Sequence, residues 1–447
     1  MDKTELRKGQ SILQFDRDPK SSVANPKRHA LMVVFHYAPE ASSTGVLRTL
    51  KYTRYMPTYG WRSTVIAPNI SAYASTDLRL EDQIPHDTVV VRTPYLNIKR
   101  HLSIAKRYPG FLAIPDQWIG WYPWAVKAAI KVIERDRPEV IYSTSPHPTA
   151  HLIARHLAKR TGIPWVADFR DPWYEEPPEP GTPWLVHWAS RHLESSVIRQ
   201  ASAVVATTPQ HATTMSRRYP TQSPEKFHSV RNGFDEADFT HLDVKASTQL
   251  TSRLVIMHAG TINASYRRDP RPLLYAIARL AANHQIALSD IEVQLMGPGD
   301  GSFVTQLRQE LSMAPYSEFV RFMPRVSYDE SLAAMCNSDV LLLLEASEDT
   351  QEMVPAKLYE YLRIGRPVLA LCYPGAMQDV IEAVEGGWAV DPRQQEGLQI
   401  CILDIYQRWQ RGELSKRWND AERLRPFSRE MLTGELVNIF NSLTTAS

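Results

Sequence analysis

At 447 residues the chain exceeds the size at which one hydrophobic core stops growing, about 250 to 300 residues, so two domains are expected. Its composition, 43% hydrophobic, 22% charged and 9% aromatic, excludes a disordered or fibrous protein. A balance of 51 Lys and Arg against 49 Asp and Glu, formal charge +2, excludes bulk binding to nucleic acid, which needs a clear basic excess.

Three cysteines, Cys336, Cys372 and Cys401, with no close pair, form neither a disulfide framework nor a Cys-x-x-Cys motif, so a reducing cytoplasm is expected. No apolar stretch follows the charged amino terminus, and no run of about 18 apolar residues occurs anywhere, so neither a secretory signal nor a transmembrane helix is expected and any membrane role is peripheral. Residues 1–28 read as a loose polar leader.

From Leu31 the chain alternates apolar strand runs with helical patterns. Leu31–Phe35, Thr64–Ile66, Val89–Val91, Val140–Tyr142, Trp165–Ala167 and Ala203–Val205 read as strands buried on both faces, the mark of a parallel sheet covered by helices. The Asn232-Gly233 turn and the polar residues after it break the pattern, which assigns 29–240 to a first domain and 241–252 to a linker. The alternation restarts at Leu254–His258 and continues through Ile291–Leu295, Phe319–Phe322, Val340–Leu344 and Val368–Leu371, giving a second domain at 253–427. A terminal helix in 428–447 is expected to pack back on the first domain. The fold class is α/β: two Rossmann-like doubly wound parallel-sheet domains, with ligands at the carboxyl ends of the strands and a cleft between the domains as the expected site.

Six segments follow strands. Ala38–Arg48 is a small-residue loop entering a helix, where Gly45 permits close approach and Arg48 can reach an anion. Ser143–His147 ends a strand with His147, and His151 follows in a His-x3-His pair that lacks a third zinc ligand. Asp168, Arg170 and Asp171 follow another strand and suggest either an acceptor contact or an ion pair that shapes the loop. In Met257–Pro270 the backbone amides near Gly260 and Thr261, with Arg267 and Arg268, suit a diphosphate; an exposed arginine pair is the alternative. In Glu352–Pro367 two carboxylates, Glu352 and Glu360, flank a helix start with Lys357 between them, and Gly365 and Pro367 close the helix. Gly297–Gly301 imitates a dinucleotide fingerprint but lacks its acidic ribose partner, so no nicotinamide cofactor is expected.

Glu352 and Glu360 match the E-x7-E motif of retaining GT-B glycosyltransferases, and Glu360-Tyr-Leu-Arg-Ile-Gly-Arg-Pro-Val-Leu-Ala resembles its continuation in glycosyltransferase family 4. Over Leu31 to Pro392 the chain resembles a branch of that family found in bacterial surface polysaccharide assembly. The resemblance implies the GT-B fold, a nucleoside diphosphate sugar donor, no metal or other cofactor, a glycan or lipid-linked glycan acceptor and transfer with retention. It implies Glu360 on the donor ribose, Glu352 facing the transferred sugar, and Gly45, Gly260, Thr261, Arg267 and Arg268 around the phosphates. Arg268, Lys357 and Glu352 would carry catalysis, and His147, Arg170 and Asp171 the acceptor side. Met353, Val354 and Pro355 depart from the common motif; Pro355 has no N–H to donate, so Lys357 is expected to take over part of the anion binding. Lys99, Arg100, Lys106 and Arg107, with Trp118, Trp121 and Trp124 and a single acid, Asp116, suggest contact with the inner face of a membrane. A GT-B sugar-nucleotide epimerase and a non-catalytic scaffold of a polysaccharide assembly complex are the alternatives.

Overall fold

The computed structural model describes residues 28–41, 45–102, 110–174, 178, 181–240, 252–263, 268–415, 418 and 420–445. The expected leader, apart from Arg28, lies outside the described residues. So do Lys106, Arg107, Arg267 and nearly all of the expected linker.

The chain divides into one unit of Met1–Arg231 with Arg429–Ser447 and a second of Asn232–Ser428. The first is built on β1 Arg28–Val33, β2 Trp61–Pro68, β3 Val89–Thr93, β4 Val140–Thr144, β5 Trp165–Phe169, β6 Ala203–Ala206 and β7 Phe227–Ser229. They form a parallel sheet in the order β3-β2-β1-β4-β5-β6-β7. The second holds β8 Leu254–Ala259, β9 Ile291–Met296, β10 Val320–Met323, β11 Val340–Glu345, β12 Val368–Cys372 and β13 Gly387–Val390, also parallel, in the order β10-β9-β8-β11-β12-β13.

Each sheet is buried on both faces. In β1, Leu31 and Val33 join one core while Ala30 and Met32 join the other; in β11, Leu342 and Leu344 part in the same way from Leu341 and Leu343. That alternation explains why the strands read as unbroken apolar runs. In both sheets the order reverses, between β1 and β4 and between β8 and β11, leaving a crevice outside the carboxyl ends of those strands.

One boundary differs from the sequence reading. The first unit ends at Arg231, ahead of 240, because Phe234 and Phe239 are buried in the second core and the Phe234 amide donates to the Phe427 carbonyl. The chain returns to the first unit as the Arg429–Thr444 helix. Tyr59 donates to the Glu430 carbonyl at 3.0 Å, and the rings of Trp61 and Phe440 meet at 5.3 Å.

Candidate functional site

In the second unit the crevice is lined by the end of β8, the end of β11 and the Ala356–Ile364 helix. Gly260 follows β8 with φ +144°, where only glycine is unstrained. A Cβ there would stand 2.5 Å from the Lys357 ammonium, so the missing side chain makes room for that ammonium. Lys357 Nζ donates to the Ala259 carbonyl, and the Ala259 amide donates to Tyr361 Oη at 3.2 Å. Arg268 is held from both sides: its Nε pairs with Glu345 at 3.1 Å and another guanidinium nitrogen donates to Thr261 Oγ1 at 3.1 Å. Burial pulls the Lys357 ammonium below the usual lysine range, with Glu360 opposing.

Glu360 is half-buried on the same helix and accepts from Tyr328 Oη at 3.2 Å. Glu352, also half-buried, lies in the loop before the helix. Pro355 caps the helix without a side-chain hydrogen bond, so the first turn leaves amides directed out of the helix end. The Gly297–Gly301 loop lies alongside and fastens the Thr261 loop, with the Ile262 amide donating to the Pro298 carbonyl at 3.0 Å. Two cations, a close-approach glycine and a helix start therefore converge on one crevice, an arrangement suited to a diphosphate.

Glu345, His258, Tyr361 and Tyr328 received no role from the sequence. The one available signal was Glu345, a carboxylate closing a run of leucines at a strand's carboxyl end.

In the first unit, Gly45 opens the Gly45–Tyr55 helix, and the Arg170 guanidinium occupies the space a Cβ on Gly45 would need. His147 precedes the Pro148–Thr161 helix, its ring centroid 4.4 Å from Phe35, 5.0 Å from His36 and 6.0 Å from Trp118. Burial, with His36 and Arg170 adding to it, lowers His147 to about 3, so the ring is neutral at ordinary pH. His36 Nδ1 lies 3.1 Å from the fully buried Glu40 carboxylate, a pair the sequence reading missed. Arg170, His147 and Gly45 thus gather at one pole, and exposed Asp171 follows Arg170.

Arg48, Asp168 and two of the tryptophans depart from the sequence expectation. Arg48 is 1% exposed and does not face an anion site: it is bidentate to Asp168 at 2.9 and 3.0 Å and donates to the carbonyls of Val230 and Arg231. Asp168 therefore pairs with Arg48, not with its near neighbour Arg170. His151 lies in the core, with Nδ1 2.8 Å from Ser143 Oγ and its ring stacked on Phe169, so it forms no metal pair with His147. Among the described residues no three His, Cys, Asp or Glu side chains cluster as a metal site. Trp121 is fully buried and donates to Thr93 at 2.7 Å, and Trp118 packs on Phe35, so these two are core residues and not a lipid face.

An open groove of about 780 Å³ between the Arg271–Ala282 and Gln395–Gln410 helices is lined by no lysine or arginine, which disqualifies it as an anion site.

Two doubly wound parallel-sheet domains in one chain, with charged clusters at the strands' carboxyl ends, give the GT-B architecture. The sequence matches the family model of the glycosyl transferase 4-like domain over residues 45–233 and that of glycosyl transferases group 1 over residues 253–408; the chain belongs to this family of glycosyltransferases. No curated protein matches it by sequence. Among solved structures, a glycosyltransferase from Rickettsia africae superposes with TM-score 0.66 at 16% identity, covering 95% of this chain and 100% of that one. Anabaena HepE in complex with UDP gives 0.65 at 15%, covering 93% and 100%. Sucrose-phosphate synthase from Thermosynechococcus elongatus gives 0.62 at 15%, covering 94% and 100%. At these identities the likeness speaks for the fold alone.

Proposed function

We propose that the chain moves a glycosyl group from a nucleoside diphosphate sugar to a hydroxyl of a glycan or lipid-linked glycan, with retention, in polysaccharide assembly. The observation that supports this most is the convergence of Lys357 and Arg268 on Gly260 and Thr261, one helix turn from Glu360. In the transfer, the bond from the anomeric carbon to the diphosphate oxygen breaks and the acceptor oxygen forms the new bond. The acceptor proton passes to a donor phosphate oxygen. Negative charge grows on the leaving diphosphate, and Lys357 and Arg268 stabilise it as it develops, so no cofactor is assigned. Glu360 is assigned to the ribose hydroxyls and Glu352 to the transferred sugar, on the strength of the E-x7-E motif. His147, Arg170 and Asp171 are assigned to the acceptor, and HepE, whose structure holds UDP, makes a uridine nucleotide the first donor to try.

Incubation with a panel of nucleotide sugars and glycan acceptors, read by mass spectrometry, tests the reading. Transfer to an acceptor supports it; an isomerised sugar nucleotide would instead make the chain an epimerase, and no conversion of any donor a scaffold. Replacing Glu360 by Ala removes charged hydrogen bonds and should weaken nucleoside diphosphate binding by about 10- to 100-fold. Unchanged affinity in a calorimetric titration would remove Glu360 from the ribose.

We further propose that the protein works in the cytoplasm, in contact with the inner face of the membrane. Exposed Lys99 and Arg100 lie beside exposed Leu102, Phe111 and Leu112, a basic and apolar mixture suited to an anionic lipid surface. Among the described residues no helix is long and apolar enough to cross a membrane. Co-sedimentation with anionic vesicles should fall several-fold in the Lys99→Glu, Arg100→Glu variant; equal binding would sink the lipid contact.

A further inference from the structure

A buried imidazole, His258, stands in the crevice of the second sheet. β8 and β11 pair only through Ile256 with Val340 and Met257 with Leu341, and His258, 2% exposed, comes next on β8. Its Nδ1 lies 3.0 Å from the Leu342 carbonyl. A carbonyl only accepts, so Nδ1 carries the proton and Nε2 of the neutral ring presents a lone pair. No hydrogen bond of ordinary geometry reaches that buried Nε2, although the Thr261 carbonyl is near enough to the ring to favour its protonated form. It lies 3.7 Å from the point a Cβ on Gly260 would occupy, the same point that Lys357 Nζ approaches to 2.5 Å.

An anion entering over Gly260 therefore meets an ammonium on one side and a lone pair on the other. The lone pair repels it; a proton on Nε2 converts that repulsion into a donor. We propose that the site binds its diphosphate together with one proton, which His258 Nε2 accepts. The inference rests on the reading of this crevice as the diphosphate-sugar site. The proton comes from solvent, forming an N–H bond at Nε2 as an O–H bond of hydronium breaks, and returns to solvent when the diphosphate leaves; no bond between heavy atoms changes.

The charged groups acting on the ring are Lys357 from the Ala356–Ile364 helix and Arg268 from the loop after β8, while Glu360 on that helix and Glu345 at the end of β11 act on Lys357 in turn. Without ligand, burial first, then Lys357 and Arg268, hold His258 down at about 3, while the carbonyls of Leu342 and Thr261 pull the other way. Bound phosphates are of the opposite sign and raise it. Between the free and bound values the complex holds one more proton than its separated parts, so affinity falls as pH rises.

UDP is the probe, studied above pH 7.5, where its own phosphate, with a pKa of about 6, is fully ionised. Titration calorimetry in buffers of different ionisation enthalpy should show net proton uptake on binding UDP, at most one per UDP, and Kd should weaken as pH rises in proportion to that uptake, at most about tenfold per pH unit. H258N, whose amide can still donate to Leu342, should lose both the uptake and the slope. K357R, with a charge that does not titrate, should keep both. UDP binding without proton uptake, uptake that survives in H258N, or uptake lost in K357R overturns the proposal. Ring ¹⁵N shifts of His258 in the unaltered protein decide it without a variant: both nitrogens should be protonated only in the complex. If no nucleoside diphosphate binds, the donor reading falls and the proposal with it.

Discussion

Donor turnover is expected to fall by about 10² to 10³ when Lys357 is replaced by Met, and by about 10⁴ when Arg268 is replaced by Ala as well. Methionine keeps the apolar stem and removes the charge, so the loss reports on the ammonium and not on packing. The size follows from position: Nζ sits over Gly260 in a half-buried crevice, where charge developing on a leaving diphosphate is weakly screened. Because burial lowers the Lys357 pKa, the ammonium loses its proton as pH rises and turnover should decline on the alkaline side. K357R, permanently charged, should lose that decline even if its rate is lower. Initial rates together with nucleotide affinities separate binding from chemistry. A double variant with near-normal rates would end the phosphate-clamp assignment.

Most of the architecture was legible because parallel strands covered on both faces leave short apolar runs, rich in Val, Ile and Leu, that alternate with helical patterns along the chain. Val340–Leu344 and Leu254–His258 are examples, and both are strands. The two strands that escaped, β7 Phe227–Ser229 and β13 Gly387–Val390, are short and only half-buried at the sheet edges. At three and four residues they are too short for an apolar run to stand out, whereas the other two edge strands, β3 and β10, were read from theirs.

The candidate site was legible where its residues lie close in sequence and at strand ends. Gly260, Thr261 and Arg268 share one loop, and Lys357 and Glu360 share one helix turn. What the sequence hid depends on strand register. Glu345 meets Arg268 only because β11 lies beside β8, and the same neighbour relation brings His258 to the Leu342 carbonyl. Arg48 shows the opposite failure. A basic residue in the first turn of a helix after a glycine-containing loop has the features of an anion ligand, yet its partner lies 120 residues away in Asp168. No local pattern reports that pairing.

That pair sets the second large expectation. Asp168→Ala should cost the first unit about 3 to 5 kcal/mol. Both partners are fully buried, at 1% and 0% exposure, and the carboxylate also accepts from Tyr142 Oη at 2.5 Å and Thr144 Oγ1 at 3.2 Å. The network joins β4, β5, the Gly45–Tyr55 helix and the Val230–Arg231 segment, so its loss leaves a buried guanidinium without its counter-charge. Replacing both partners, as Arg48→Met with Asp168→Leu, should cost less than Asp168→Ala alone, because no charge is then stranded. Burial pushes the Asp168 carboxyl up, but Arg48 and Tyr142 outweigh it and hold it below the usual aspartate value. A depressed native pKa adds stability that is complete above the unfolded value of about 3.9 and lost as pH falls below it. The gap between the unaltered protein and Asp168→Ala should therefore be full at pH 7 and narrow below about pH 4. Amide exchange of β4 and β5 in graded denaturant reads the first unit separately from the second. A loss under about 1 kcal/mol would mean that water reaches the guanidinium once the carboxylate is gone, and that the pair contributes no more than an exposed one.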